Sequence, residues 1–163
     1  MAFKYFDGCL SDIEASSISS DNPLKESAQT LGSKVDHAYQ NLQFSSACEH
    51  VLTLVRMGNK YIDEQAPWRL YKQGEHQLVQ DILYSVLESV RLCGFLLSPI
   101  IPQVSSNIYQ QLGLLLDFTD KVELSHQKNL YATHSQWGVL PLNQQLGNPS
   151  PIFHKLESPT PVS

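Results

Sequence analysis

The amino-acid sequence predicts an all-α protein, in which a helical bundle is followed by an irregular C-terminal segment. Apolar residues recur at three- and four-residue steps through most of residues 24–112, the spacing that places them on one face of an α-helix. The periodic stretches are long, and their joints carry proline or glycine, as at Pro67 and Gly74. Long helices with short joints are typical of an α-helical bundle.

The N-terminal part is predicted to contain the end of one helix and the whole of a second. Residues 3–10 are interpreted as the end of a helix that Gly8 closes, and the Ser- and Asp-rich residues 11–22 as a loop. The sequence Asp21-Asn22-Pro23 indicates a helix start, because asparagine caps helices and proline is tolerated at the first helical position. This helix is expected to run to about Leu42. Its predicted apolar face comprises Leu24, Ala28, Leu31, Val35, Ala38 and Leu42.

A long amphipathic helix is predicted from about Phe44 or Ser45 to about Gln65. It should end there because the residue before Pro67 disfavours α-helical geometry. Its apolar positions are Ala47, Val51, Leu54, Val55, Gly58, Tyr61 and Ile62. Because Tyr61 falls on this apolar face, we expect it to be a core residue rather than a binding residue.

A second long helix is predicted after Gly74, and Pro99 and Pro102 should end it. A short helix from about Gln103 to Leu112 follows. The apolar stripe of the long helix comprises Leu78, Ile82, Val86, Val90, Cys93, Leu97 and Ile100, and that of the short helix comprises Val104, Ile108 and Leu112.

The helical period fades after Gly113. Residues 117–151 are expected to form turns and short extended pieces, and Trp137-Gly138-Val139-Leu140-Pro141 a loop that packs on the bundle. We assign residues 1–157 to one domain. Residues 158–163 are polar and rich in proline, which predicts a disordered tail.

The composition fits one globular domain but opposes a typical nucleic-acid binder. The chain has 163 residues, of which 42% are apolar, enough for one domain with a hydrophobic core. Its net charge of −5 argues against a protein whose affinity for nucleic acid comes from a basic surface. The charge is compatible with a protein that contacts a few bases while another domain contacts the phosphates.

The sequence shows neither a membrane span nor a secretory signal. It has no apolar run of about 18 residues, and its start lacks the apolar region of a signal peptide. Cys9, Cys48 and Cys93 are odd in number and far apart. They give no disulfide framework, which predicts reduced thiols and a cytoplasmic location.

No catalytic or metal-binding constellation is predicted in this chain. The phosphate-binding motif GxxxxGK[ST], the dinucleotide motif GxGxxG and the nucleophile motif GxSxG are absent. Cys48 and His50 lack the second pair of ligands that would complete a zinc site. Asp63 and Glu64 leave a helix in different directions and are expected to be solvated surface. The chain itself is therefore expected to hold no cofactor.

The most informative segment is Asn59-Lys60-Tyr61-Ile62-Asp63-Glu64-Gln65-Ala66-Pro67-Trp68, at the end of the first long helix. It places a tryptophan directly after a proline, at a corner and outside the apolar stripe. Basic residues are expected around this corner, namely Arg56, Lys60, Arg69 and Lys72. A ring beside cations and amides suits an unpaired nucleotide base, which needs a face to stack on and charge near its phosphates.

Each of these residues also has a structural interpretation. Trp68 could anchor the corner in the core, since large aromatic side chains are mostly buried. Asn59 and Gln65 carry donors and acceptors suited to base edges. Asn59 could instead be a helix-surface or a buried structural amide, and Gln65 a helix C-cap. Lys60 could instead form a surface ion pair with Glu64, four residues later, and have no role in binding.

The same ten residues resemble the helix-and-loop signature of the methionyl-tRNA synthetase family, in the domain that grips the tRNA anticodon. The resemblance extends over nearly the whole chain. Other similar segments are Phe3-Lys4-Tyr5-Phe6-Asp7-Gly8, Phe44-Ser45-Ser46-Ala47, Ser98-Pro99-Ile100-Ile101-Pro102, Trp137-Gly138 and Pro151-Ile152-Phe153-His154-Lys155-Leu156-Glu157. The last one departs from the family, with His154 and Lys155 where proline and arginine are common.

The resemblance implies an all-α anticodon-binding domain of a bacterial-type methionyl-tRNA synthetase. In that family the tryptophan that matches Trp68 stacks on an anticodon base, and the preceding proline shapes its loop. The RNA-binding residues expected here are Trp68, Pro67, Asn59, Gln65, Arg56, Lys60 and Arg69. The expected partners are the tRNA anticodon loop and the catalytic domain of the parent synthetase, with neither DNA nor a membrane.

The family's catalytic parts are expected to lie outside this chain. Its two ATP-handling signatures, similar to His-Ile-Gly-His and Lys-Met-Ser-Lys-Ser, are absent. ATP and Mg²⁺ are therefore expected only in the parent enzyme, a methionine–tRNA ligase. In the family the first bundle helix also carries an Asn and an Arg that contact the anticodon, at positions upstream of Met1, so that helix is expected to be truncated. The alternative is a helical protein-interaction module, or a remnant that no longer binds RNA, which the acidic charge favours.

Overall fold

Helices form nearly all the regular secondary structure in the computed structural model, which describes residues 1–10, 22–120, 124 and 129–153. Within these ranges they are α1 (Ala2–Phe6), α2 (Pro23–Ala28), α3 (Leu31–Gln40), α4 (Phe44–Gln65), α5 (Pro67–Lys72), α6 (His76–Leu97), α7 (Pro102–Gln111) and α8 (Leu130–His134). The same ranges contain no strand, only an isolated bridge between Cys9 and Gln145. The predicted all-α class is confirmed. Residues 11–21 of the predicted loop over residues 11–22, and the predicted tail, lie outside the described residues.

The predicted N-terminal helix after Asn22 is in fact two helices. The Asn22 side chain accepts hydrogen bonds from the backbone nitrogens of Leu24 (2.9 Å) and Lys25 (3.4 Å), so the predicted cap is confirmed. A turn at residues 29 and 30 then separates α2 from α3. Sequence spacing did not reveal this break because the three-residue apolar step continues across it.

Five of the six residues predicted for the apolar face of this region are buried, and the sixth is not. Leu42 is 75% exposed and has a left-handed backbone with a φ of 57°. It lies beyond the end of α3, in the turn that leads into α4. Its position in the helical period therefore had no meaning, since the helix had already ended.

Helices α4 and α6 are antiparallel and are joined through the short helix α5. The Cys93 thiol contacts the Val51 carbonyl at 3.9 Å, whereas Gly58, two turns later in α4, faces Ser89. A later residue of α4 thus contacts an earlier residue of α6, which shows that the two helices run in opposite directions. The predicted arrangement of two long antiparallel helices joined at the Pro67 corner is confirmed.

Helix α6 lies at the centre of the bundle and contacts α2, α4, α5 and α7. Because neighbours surround it, its buried residues are not confined to one stripe. The predicted stripe is therefore wrong for Leu78 (44% exposed), Val90 (38%) and Ile100 (39%). Two charged residues that the stripe omitted, Glu88 and Arg91, are fully buried instead.

The Glu88–Arg91 pair ties the C-terminal segment to the bundle. The Arg91 guanidinium donates to both carboxylate oxygens of Glu88, at 2.8 Å each. Glu88 also accepts hydrogen bonds from the backbone nitrogens of residues 138, 139 and 140, at 2.7, 3.1 and 3.0 Å. Arg91 donates to the carbonyls of His134 (2.8 Å) and Gln136 (2.6 Å). The predicted packing of residues 137–141 against the bundle is confirmed.

Candidate nucleic-acid interface

The corner between α4 and α5 is a rigid turn that presents Trp68. Ala66 ends α4 with a left-handed backbone, at a φ of 45° and a ψ of 57°, and Pro67 is the first residue of α5. Both residues are buried. Trp68 is the next residue of the short helix, and its side chain is 39% exposed. The interpretation of Trp68 as a wholly buried core anchor is therefore wrong.

The polar residues of α4 lie on its exposed face, but they do not all lie at the corner. Asn59, Lys60 and Gln65 are exposed, so the interpretation of Asn59 as a buried amide is wrong. Gln65 is the last residue of α4 and not its C-cap. The C-cap is Ala66, whose backbone nitrogen donates to the Ile62 carbonyl. Asn59 and Gln65 thus both have side chains that solvent, and hence a ligand, can reach.

Two predicted cations of α4 are held in surface ion pairs. Lys60 Nζ lies 3.6 Å from Glu64 Oε1, the four-residue pair anticipated from the sequence. Arg56 Nη1 lies 2.6 Å from Glu49 Oε1, and this hydrogen bond lowers the pKa of the Glu49 carboxyl. Glu49 is two turns nearer the start of α4, so the guanidinium points away from the corner. Arg56 is also about 13 Å from the end of α4 at about 1.5 Å per residue, and its predicted place beside Trp68 is wrong.

The cations that do border the corner come from α5 and α1. Lys72 is four residues after Trp68 in one helix, which places both side chains on the same side. Arg69 is the next residue after Trp68, and Lys4 lies at the end of α1. All three cations are exposed. Within the described ranges, none of them belongs to an ion pair.

A stack of two tyrosines joins α1 to α5 beside Trp68. The rings of Tyr5 and Tyr71 lie 4.0 Å apart between centroids, at an interplanar angle of 14°. His76 packs edgewise on Tyr71, with the centroids 4.6 Å apart. Sequence reasoning missed these residues because the contact joins positions far apart in the chain. The available signal was that Tyr71 follows Trp68 by three residues, which places it on the same side of a helix.

Tyr61, within the predicted motif, belongs to the core side of α4. It is partly buried and packs against the main hydrophobic cluster. Burial raises the pKa of its hydroxyl, with a smaller contribution from Asp81 on α6. The prediction that Tyr61 is a core residue is confirmed.

A long apolar groove runs along α4, α6 and α7. It consists of two adjoining cavities of about 300 and 380 Å³. Both cavities are lined by Val86, Val90, Ile108 and Ile152. Met1 and Phe3 line one end, and Leu52 and Val55 the other. Its apolar lining suits the side chains of another protein segment rather than phosphates or bases.

The described residues contain neither a candidate metal centre nor a helix that could cross a membrane. No group of three or more His, Cys, Asp or Glu side chains there could hold a metal ion. No helix in these ranges combines the length and the apolar character that crossing a membrane requires.

The chain resembles known proteins over nearly all its length. Residues 15–159 match the family described as the anticodon binding domain of methionyl tRNA ligase. A methionine–tRNA ligase from Synechocystis is 49% identical over 159 residues, which cover 98% of this chain and 30% of that enzyme. The one from Nostoc is 48% identical over 157 residues, which cover 96% of this chain and 29% of that enzyme. This chain thus spans less than a third of the length of these relatives.

A solved structure shares the fold. Free-state methionyl-tRNA synthetase from Mycobacterium tuberculosis matches with a TM-score of 0.78 at 22% identity, over 98% of this chain and 30% of that one. At that identity the likeness bears on the fold alone. The family match covers most of the residues, and the relatives approach half identity. The chain therefore belongs to the family of anticodon-binding domains of methionyl-tRNA ligases.

Proposed function

We propose that this chain binds the anticodon loop of methionine tRNA and supplies that contact to methionyl-tRNA formation by a longer synthetase. The observation that carries the proposal is the partly exposed Trp68, 39% accessible, on a corner fixed by Ala66 and Pro67. A ring held in this way offers a face to an unpaired base, and such stacking contributes about 1–3 kcal/mol. The family of the chain supports the same partner.

The residues around Trp68 would divide the contact between base and backbone. Asn59 and Gln65 are exposed amides that would read base edges. Arg69 would contact phosphate, and its lack of an ion-pair partner among the described residues leaves its charge available. Lys60 and Arg56 would contribute only if RNA displaced Glu64 and Glu49 from them.

The chemistry of aminoacylation would belong to other parts of the longer protein. The relatives are about three times the length of this chain, and we assign ATP, Mg²⁺ and methionine activation to their remaining residues. One solved relative from Mycobacterium tuberculosis is in complex with methionyl-adenylate. The proposed setting is the cytoplasm.

The domain would comprise residues 1–157 together with a helix that continues upstream of Met1. The apolar groove begins at Met1 and Phe3. We assign the groove to the apolar face of the segment that precedes Met1 in a longer synthetase.

A titration with a labelled RNA hairpin tests the RNA partner. The hairpin would carry the anticodon stem-loop of methionine tRNA, and its competitor the same stem with an altered anticodon. Trp68→Ala should weaken binding roughly ten- to a hundredfold, at about 1.4 kcal/mol per decade. The matched control is Phe44→Ala, which removes an aromatic ring of similar exposure, 51%, from the far end of α4.

The outcome separates the two candidate functions. Preference for the cognate hairpin, lost in Trp68→Ala and kept in Phe44→Ala, supports RNA recognition. Equal binding of both hairpins would contradict anticodon recognition, and no binding supports the alternative in which the chain only docks protein. Unchanged circular dichroism would show that Trp68→Ala leaves the helices intact.

A further inference from the structure

Two exposed lysines border the tyrosine stack beside Trp68, and together they form a lysine–tyrosine strip of Lys4, Tyr5, Tyr71 and Lys72. Each lysine is the chain neighbour of one of the stacked rings. Lys4 Nζ lies 5.6 Å from the centroid of the Tyr5 ring. Lys72 shares a side of α5 with Trp68. The strip therefore continues the Trp68 surface from α5 onto α1.

We propose that Lys4 and Lys72 bind RNA phosphates next to the nucleotide that stacks on Trp68, and that the Tyr5–Tyr71 stack positions the two lysines. The proposal rests on the proposed function and extends it to residues outside the predicted motif.

The ligand class follows from the charge and from the occupied ring faces. Neither lysine has an ion-pair partner among the described residues, so each ammonium group is available to an external anion. The tyrosines cover one face of each other, and the edge of His76 lies against Tyr71. Bases therefore have little free ring surface here, whereas phosphates need only the cations at the edges of the stack. An ammonium group serves as a point charge for phosphate.

The strip also accounts for how an acidic chain could hold RNA. The net charge is −5, but Lys4, Arg69 and Lys72 are exposed and have no ion-pair partner among the described residues. Phosphate contacts release counterions from the nucleic acid and make affinity depend on salt. A local cluster can supply such contacts regardless of the charge elsewhere on the surface.

The test is the salt dependence of hairpin binding by the full chain. For single strands the slope of log affinity against log salt changes by about 0.7 per phosphate contact. The variant with Lys4→Ala and Lys72→Ala should therefore flatten the slope by about 1.4. It should weaken the cognate and altered-anticodon hairpins by the same factor, because phosphate contacts carry no sequence information. Lys34→Ala, an exposed lysine on α3, is the control for charge alone.

The positioning role of the stack has its own measurement. Tyr5→Phe keeps the ring and should keep the wild-type slope. Tyr5→Leu removes the stack and should flatten the slope by the share of Lys4, about 0.7, with helical content unchanged. Equal slopes for the Phe and Leu variants would overturn the positioning role.

The results separate this inference from the proposed function. If Trp68→Ala weakens binding but the double lysine variant behaves like Lys34→Ala, the strip is wrong and the RNA function stands. A flatter slope in the double lysine variant supports the strip. If the unaltered chain binds neither hairpin, both proposals fall.

Discussion

Replacing Glu88 should unfold the domain, although Glu88 is a charged residue near the middle of a helix. Its side chain is fully buried. It satisfies both the Arg91 guanidinium and the backbone nitrogens of residues 138–140. Glu88→Ala removes all of these acceptors at once and leaves the buried Arg91 charge without an opposite charge.

The cost of Glu88→Ala can be worked out from these contacts. Leaving one member of a buried ion pair uncompensated costs about 3–5 kcal/mol. Each orphaned backbone donor adds about 1–3 kcal/mol. The low ends of these ranges together reach about 6 kcal/mol, comparable with the total stability of about 5–15 kcal/mol for a typical domain. We therefore expect Glu88→Ala to be unfolded or marginally stable at 25 °C.

Urea unfolding followed by circular dichroism measures this effect. Glu49→Ala is the matched control, because Glu49 also pairs with an arginine but is exposed, and its unfolding midpoint should not move. The double variant Glu88→Leu with Arg91→Met removes both charges, so it should be more stable than Glu88→Ala. A Glu88→Ala midpoint as high as that of Glu49→Ala would refute the buried-pair reasoning.

Three further predictions concern charge, pH and the groove. Arg69→Ala should weaken hairpin binding at least several-fold more than Arg56→Ala in the same titration, because Glu49 holds Arg56 away from the corner. Burial, and secondarily Arg91, lower the pKa of His134, so the unfolded chain binds more protons below the ordinary histidine value of about 6.5. The free energy of unfolding should therefore fall as pH drops below about 6.5, and His134→Gln should flatten this dependence in urea titrations at several pH values. Val90→Glu in the groove should be tolerated in this chain as well as Leu115→Glu, at a 96% exposed position. In a longer synthetase, however, Val90→Glu should lower the melting temperature by several degrees more.

The start of α2 and the end of α4 could be predicted because they depend on local chemistry. Asn22 caps α2 through its own side chain, and α4 ends one residue before the left-handed Ala66 that precedes Pro67. The exposure of Trp68 was predicted from the resemblance to the family together with the place of the residue outside the apolar period of α4, since a large aromatic residue is otherwise expected to be buried. In each case the deciding atoms are close together in the sequence.

The errors arose where burial depends on contacts between distant parts of the chain. Glu88 is buried because backbone nitrogens about fifty positions later bind its carboxylate, and a charged helix residue is otherwise expected to be solvated. The predicted apolar stripe of α6 did not match its buried residues because other helices surround α6. The Tyr5–Tyr71 stack joins helices at opposite ends of the first half of the chain, and no periodicity connects them.

Pro67 should matter for RNA affinity even though it is buried and offers no polar group to RNA. A proline disfavours α-helical geometry in the residue before it, which keeps Ala66 out of the helix and forces the corner. With alanine at position 67, Ala66 could adopt α-helical geometry and α4 could continue through the corner. Trp68 would then sample several orientations. Binding would then bear the cost of ordering the corner, although no contact group has been removed.

The size of the Pro67 effect can be bounded and controlled. The Pro67→Ala substitution should cost about 0.4–1 kcal/mol of stability through the greater freedom of the unfolded chain. It should weaken hairpin binding a few-fold. Pro102→Ala is the control for the loss of a helix-starting proline, since Pro102 begins α7 as Pro67 begins α5. Because Pro67 is buried and Pro102 is exposed, Pro67→Ala should lose more stability, and only Pro67→Ala should lose affinity. If the two bind the hairpin equally well, the corner is not a preorganised part of the site, and the affinity of Trp68 must come from the ring alone.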